Sequence, residues 1–253
     1  MVKGWEDVLK TFDAADLTWE SRFRAAFEAA FDISSIRGVS QKLMSGIINR
    51  VINFLPPFLL AISFHESAHA YVAYRLGDPT ARDMGRVTLN PLPHIDILGL
   101  LAILFFPFGW AKPVPINPYN LRNPIRDNLW ISLAGPASNL ILAFISGIVF
   151  RLLFLPLSTS VGGVYVLTLI RSSVILNIIL MVFNLIPIPP LDGFHVLEGL
   201  VSTDTYVKLQ RVHQVGPILL LALVFFGGGI LTAIMGPIVR VLGGFIIGMP
   251  LGW

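Results

Sequence analysis

The sequence predicts an all-α, polytopic membrane protein with about five to six transmembrane helices. Three observations carry that expectation. Of the 253 residues, 55% are hydrophobic and only 13% are charged, against about a quarter charged in an ordinary soluble domain. The mean hydropathy is +0.75, and the apolar residues gather in runs close to the roughly 20 residues that cross a bilayer as a helix. Between the runs lie short stretches rich in Pro, Gly and Asn, with Lys and Arg beside the apolar ends. The net charge of +3 is small and scattered, which points to a lipid bilayer as the surrounding partner and away from nucleic acid.

Taken in order, residues 1–45 read as an amphipathic helical segment and residues 46–253 as the transmembrane domain. Trp19, Phe23, Phe27 and Phe31 form a stripe at i, i+4 spacing. That stripe fits an interfacial helix lying on the bilayer and equally a small helical hairpin packed on the membrane domain or on a second copy. Residues 1–37 are charged and amphipathic, so no cleavable signal peptide is expected. The first span starts near Pro56-Pro57, where proline suits a first turn, and is ended by Gly77-Asp78-Pro79. Residues 97–108 are apolar but short for a span, which predicts a short tilted helix or a re-entrant segment. Residues 129–155 and 161–186 are clear spans. The second ends in Ile186-Pro187-Ile188-Pro189-Pro190, a break tolerated at membrane depth only where the backbone is buried in protein or lines a cavity. Two glycine-rich apolar stretches, 215–226 and 230–247, close the chain around the turn Gly227-Gly228-Gly229. No internal repeat is visible, which counts against a transporter built from inverted repeats.

The chemistry concentrates in the first span, at His65-Glu66-Ser67-Ala68-His69. Residues four apart on a helix share a face, about 6 Å apart along the axis, which is a bite for Zn²⁺ with Glu66 beside it as a general base. Apolar sequence flanks the motif on both sides, and ionisable groups at such depth are functional candidates by default. A chance histidine pair with Glu66 in a surface salt bridge would need water that this segment does not offer.

Two histidines leave a catalytic zinc site one protein ligand short, and with no cysteine in the chain that ligand must be His or carboxylate. Asp192, just beyond the proline break, is the best candidate; it also fits a helix N-cap. His195, three residues on, and His94, in a proline-rich loop, can each be a site residue or a histidine at the membrane–water boundary. Asn139 and Asn184 are expensive in lipid without partners. Each reads either as an interhelical hydrogen bond or as a donor to the oxyanion formed when water attacks a peptide carbonyl.

Taken together, His65-Glu66-Ser67-Ala68-His69, Gly85-Arg86-Val87-Thr88-Leu89-Asn90-Pro91, His94-Ile95-Asp96, Ala111-Lys112-Pro113-Val114-Pro115, Gly135-Pro136-Ala137-Ser138-Asn139 and Leu191-Asp192-Gly193 resemble the site-2 protease family of intramembrane zinc metalloproteases. The likeness covers about residues 55 to 250 and is closest to the compact bacterial or archaeal branch without PDZ or CBS domains. It implies a multi-pass protein of the cell membrane holding one zinc ion through His65, His69 and Asp192, with Glu66 as general base. It further implies that Asn184 holds the scissile carbonyl or its oxyanion, that Asn139 fits the family's second asparagine, and that the substrates are single-span membrane proteins cut within or near the bilayer. Ile97 stands where the family often has proline, and residues 1–45 lie outside the shared core; neither departure touches a ligand. The rival classes are a proteolytically silent relative that binds a membrane partner, against which an intact Glu66 argues, and a metal-ion transporter, which needs polar groups on both sides of the site.

Overall fold

The computed structural model describes residues 47–48, 50–105 and 109–248, so the stripe at Trp19–Phe31 lies outside the described residues. A π-helical turn over Arg50–Phe54 leads into α1 (Leu55–Arg75), whose first turn carries proline, where a missing N–H interrupts no rung of the helix. Gly77 turns the chain at φ +114°, a left-handed value that a side chain disfavours. The next residue, Asp78, is fully buried. Its carboxylate accepts from the Thr80 amide and hydroxyl, from the Asn117 amide at 2.7 Å and from Asn120 Nδ2 at 2.8 Å. One carboxylate thus ties the end of α1 to a loop some forty residues on.

Between these anchors run the short α2 (Thr80–Asp83), a 3₁₀ turn at Leu92–His94, and α3 (Ile97–Phe105). A lone antiparallel bridge pairs Ile95 with Ala111. Asn123 caps α4 (Pro124–Leu157): its side chain accepts from the Arg126 amide, while Asp127 accepts from the Asn123 amide at 2.9 Å, a reciprocal arrangement that satisfies two first-turn donors. Then follow α5 (Val161–Asn184), α6 (Asp192–Leu200), α7 (Thr203–Leu209), α8 (Val212–Phe226) and α9 (Gly228–Ile247).

The protein is all-α and polytopic, as the sequence predicts, with four or five spans among the described residues against the five to six expected. Among the described residues, four helices are long and apolar enough to cross a membrane: α1 with its leading turn, α4, α5 and α9. A fifth span exists if α7 and α8, bent by 57°, cross as one. Alone, the 15 residues of α8 reach only about 22 Å, short of a hydrocarbon core near 30 Å. With nine residues, α3 is too short in any orientation.

The core forms where α4 and α5 pack along each other, with α1 and α9 against the pair and α6 against α4. Ala143, Phe150, Val174, Ile178 and Ile246 make one buried cluster; Phe58, Ala61, Ile62, Ile103 and Leu176 make a second around α1. The outward faces stay apolar: Leu152 is 72% exposed and Phe245 69%. In water such surfaces would drive aggregation; against lipid tails they need no cover.

Candidate metal centre and active site

His65 and His69 are both buried on the inner face of α1, with ring centroids 4.6 Å apart. Each ring has one nitrogen committed. His65 Nδ1 lies 2.6 Å from Asn139 Oδ1 on α4, and His69 Nδ1 lies 2.7 Å from the backbone carbonyl of Ile131, also on α4. Both partners are acceptors, so both histidines donate from Nδ1 and, as neutral rings, keep a lone pair on Nε2. The amide orientation of Asn139 is fixed from its other side, where Nδ2 donates to Ala61 O at 3.2 Å and to Asn177 Oδ1 at 2.8 Å. Asn177 in turn donates to the Ser173 carbonyl. Asn139 and Asn177 are fully buried. Polar groups at this depth need such partners.

Asp192 arrives from a different part of the chain. Leu191 occupies the N-cap of α6 and Asp192 the first helical position, so the cap role open to it in the sequence is not the one it has. Its Oδ2 is buried without a hydrogen bond, at 3.1 Å from His65 Nε2 and 3.4 Å from His69 Nε2. Two lone-pair nitrogens and a carboxylate oxygen facing one another across those distances repel unless a cation lies between them. Zn–N and Zn–O bonds of about 2.0–2.1 Å give tetrahedral edges of about 3.3 Å, which is the spacing found. All three ligand atoms lie within 4.8 Å of one another.

Backbone detail keeps that space open. On Gly135, a Cβ would stand 2.6 Å from His65 Nε2 and collide with His69 Nε2, so only glycine lets α4 approach the two rings. Pro136 follows inside the helix and has no N–H for the Ser132 carbonyl. The carbonyl just before that missing rung, Ile131 O, is the one that His69 uses.

Glu66, Asn184 and His195 line the same cavity as the triad, a space of about 650 Å³ walled by apolar residues that include Phe58, Trp110, Val114, Phe183 and Leu221. Asn184 ends α5 with its Nδ2 on the Leu180 carbonyl at 3.0 Å. His94 stands apart. It is fully buried, with Nε2 at 2.9 Å from Thr88 O and its own carbonyl accepting the Lys112 amide, and it does not line the cavity. Of the two histidines left open by the sequence, only His195 is therefore at the site. Asn139 gives both amide hydrogens to protein oxygens and none to the cavity. Sequence reasoning missed Asn177 and Ile131, and gave Arg86 no role beyond its place in the motif at residues 85–91. Burial pushes the Arg86 guanidinium below its ordinary value while the Glu66 charge pulls the other way, and its two Nη groups hold the carbonyls of Lys112 and Pro113. A backbone acceptor such as Ile131 O leaves no signal in side-chain chemistry; Asn177, an amide inside a span, did offer one.

Residues 53–227 match the family model described as Peptidase family M50. Three similar relatives are named "Putative zinc metalloprotease". YwhC of Bacillus subtilis strain 168 is 41% identical over 67% of this chain and 80% of its own length. Rip2 of Mycobacterium tuberculosis strain H37Rv is 32% identical over 66% of this chain and 64% of its own. MJ0611 of Methanocaldococcus jannaschii is 33% identical over 53% and 63%. The chain thus spans a little under two thirds of the length of the latter two. No solved structure matches it.

Proposed function

The chain belongs to Peptidase family M50, and on that premise we propose that it is an intramembrane zinc endopeptidase. Its substrates are single-span membrane proteins, cut within or near their transmembrane segment as in regulated intramembrane proteolysis. The family and the apolar helices together make this an integral, multi-pass membrane metalloprotease. One observation supports intramembrane cleavage. Two histidine lone pairs and one unpartnered carboxylate oxygen converge beside Glu66, inside an apolar cavity of a membrane-spanning core.

His65, His69 and Asp192 are assigned as the ligands of one zinc ion. Held there, zinc supplies Lewis acidity, making water a nucleophile near neutral pH and polarising a peptide carbonyl. Glu66 is the general base: it takes a proton from the attacking water and delivers it to the leaving amine. Asn184, at the cavity wall, is assigned to the scissile carbonyl and its oxyanion. Asn139 acts through His65 and is a positioning residue. The apolar walls accept an unwound stretch of transmembrane helix and keep bulk water from competing for its backbone.

The test is cleavage of a single-span peptide by the purified protein in detergent, with zinc measured on the same sample. One zinc per chain and cutting by the native protein but not by Glu66→Gln is the expected outcome. A zinc-loaded native protein that cuts no membrane peptide would reject the assignment in favour of a silent relative.

A further inference from the structure

Beyond the triad, α6 carries a second cluster of ionisable groups. Glu198 is 5% exposed and accepts three hydrogen bonds: from His195 Nδ1 at 2.9 Å, from Gln210 Nε2 at 2.8 Å and from His213 Nε2 at 2.8 Å. His195, Glu198 and His213 therefore repeat the composition of the zinc site, two imidazoles and one carboxylate. The spacing separates the two clusters. Around Asp192 the nitrogen–oxygen edges are 3.1 and 3.4 Å and fail as hydrogen bonds. Around Glu198 they are 2.8 and 2.9 Å, the length of charge-assisted hydrogen bonds and too short for edges of a zinc tetrahedron.

A buried carboxylate stabilised by three donors is a rigid anchor, and one of those donors faces the active site. Glu198, when ionised, only accepts, so His195 commits Nδ1 to it. Nε2 is left as the ring nitrogen available to the cavity that His195 shares with Glu66, Asn184 and Asp192. No partner for that nitrogen is found among the described residues. Phe194 and His213 stack edge to face at 4.9 Å beside it, which restricts the anchor further. An imidazole held by a carboxylate through one nitrogen, with the other free toward reacting groups, is the arrangement by which enzymes orient a ring for transition-state hydrogen bonding.

We propose that His195 is a further catalytic residue, its Nε2 hydrogen-bonding the scissile peptide of a substrate in the cavity, with the buried Glu198 carboxylate as its positioning residue. Asn184 and His195 then approach that peptide from two elements, α5 and α6. This rests on the protease reading of the site.

The experiment compares kcat, KM, zinc content and thermal stability of the native protein, Glu66→Gln, His195→Leu, His195→Gln and Glu198→Gln on one single-span peptide. His195→Leu is expected to keep one zinc per chain and its melting temperature while kcat falls about 100-fold, the low end of what one positioned acid–base side chain contributes, with KM little changed. His195→Gln, which restores a hydrogen-bonding group at similar reach, recovers part of that loss. Glu198→Gln shows a smaller fall in kcat, and if it unfolds the His195 pair still decides. An unchanged kcat in His195→Leu overturns the proposal, as does a rise in KM alone. Loss of zinc from His195→Leu, or a second zinc in the native protein that Glu198→Gln removes, also overturns it, since the ring would then be a ligand. A native protein that does not cut, or a Glu66→Gln variant that does, fails the protease reading instead.

Discussion

Asn139 Oδ1 sits 2.6 Å from His65 Nδ1, and this one contact decides which nitrogen of the histidine is left for a metal. The asparagine on α4 reaches the proposed zinc site through the ring of the assigned ligand on α1. Loss of such an outer partner typically weakens metal binding about 10–100-fold. Asn139→Leu should therefore lose zinc to a competing chelator about 10–100-fold more readily, with turnover returning substantially when zinc is supplied in excess. Tight zinc combined with a collapsed kcat would instead mark Asn139 as a donor to substrate.

Ligands and base separate by what each variant loses. Asp192→Ala, His65→Ala and His69→Ala should lose both zinc and cleavage, because two remaining ligands hold the ion weakly. Glu66→Gln should retain zinc and lose cleavage. Elemental analysis of the purified proteins alongside peptide cleavage checks all four, and full zinc occupancy in Asp192→Ala would remove it from the ligand set.

Among the described residues, the Asn184 side chain makes one hydrogen bond, to a carbonyl one turn back in its own helix. Asn184→Leu should consequently lower turnover by about 10²–10³ while the melting temperature barely moves. A melting temperature that falls in step with activity would make the residue structural.

Gly135→Ala probes the space between α4 and the two rings. The added methyl meets His65 Nε2 at 2.6 Å and clashes with His69 Nε2, so the rings must rotate or the helices part. Zinc content should drop to near zero in a protein that keeps its helical circular dichroism. Normal zinc in this variant would show that the helices separate without disturbing the ligands.

Asp78 gives a pH dependence of stability outside the membrane spans. Burial works to raise its carboxyl, and the hydrogen bonds from Asn120, Thr80 and Asn117 outweigh it, holding the group below its ordinary 3.8. A depressed folded-state value stabilises the fold above the unfolded-state value, and that stabilisation is lost as pH falls through the folded-state value. Asp78→Asn should thus melt well below the native protein at pH 7. The gap should narrow only below about pH 4, as the native carboxyl protonates. A gap that stays constant down to pH 3 would mean that the ionised form matters little.

The sequence alone determined the membrane class and the long apolar runs, and it named the candidate residues for the chemistry. Hydropathy, helix spacing and residue type are local properties, and the lipid solvent leaves a chain so apolar few alternatives. His65 and His69 were legible as a pair because one helix sets their separation. The partnership with Asp192, more than 120 positions away, could be read only as a candidate. It became a geometry when α4, α5 and α6 packed and left Oδ2 within 3.4 Å of both rings. Among the described residues the number of spans is four or five, because a bend, not composition, decides whether α7 and α8 act as one. His94 and His195 looked alike in sequence. Tertiary packing buried the first in a loop and gave the second a carboxylate partner at the cavity wall, because hydrogen-bond partners between distant segments exist only once backbone positions are fixed in space.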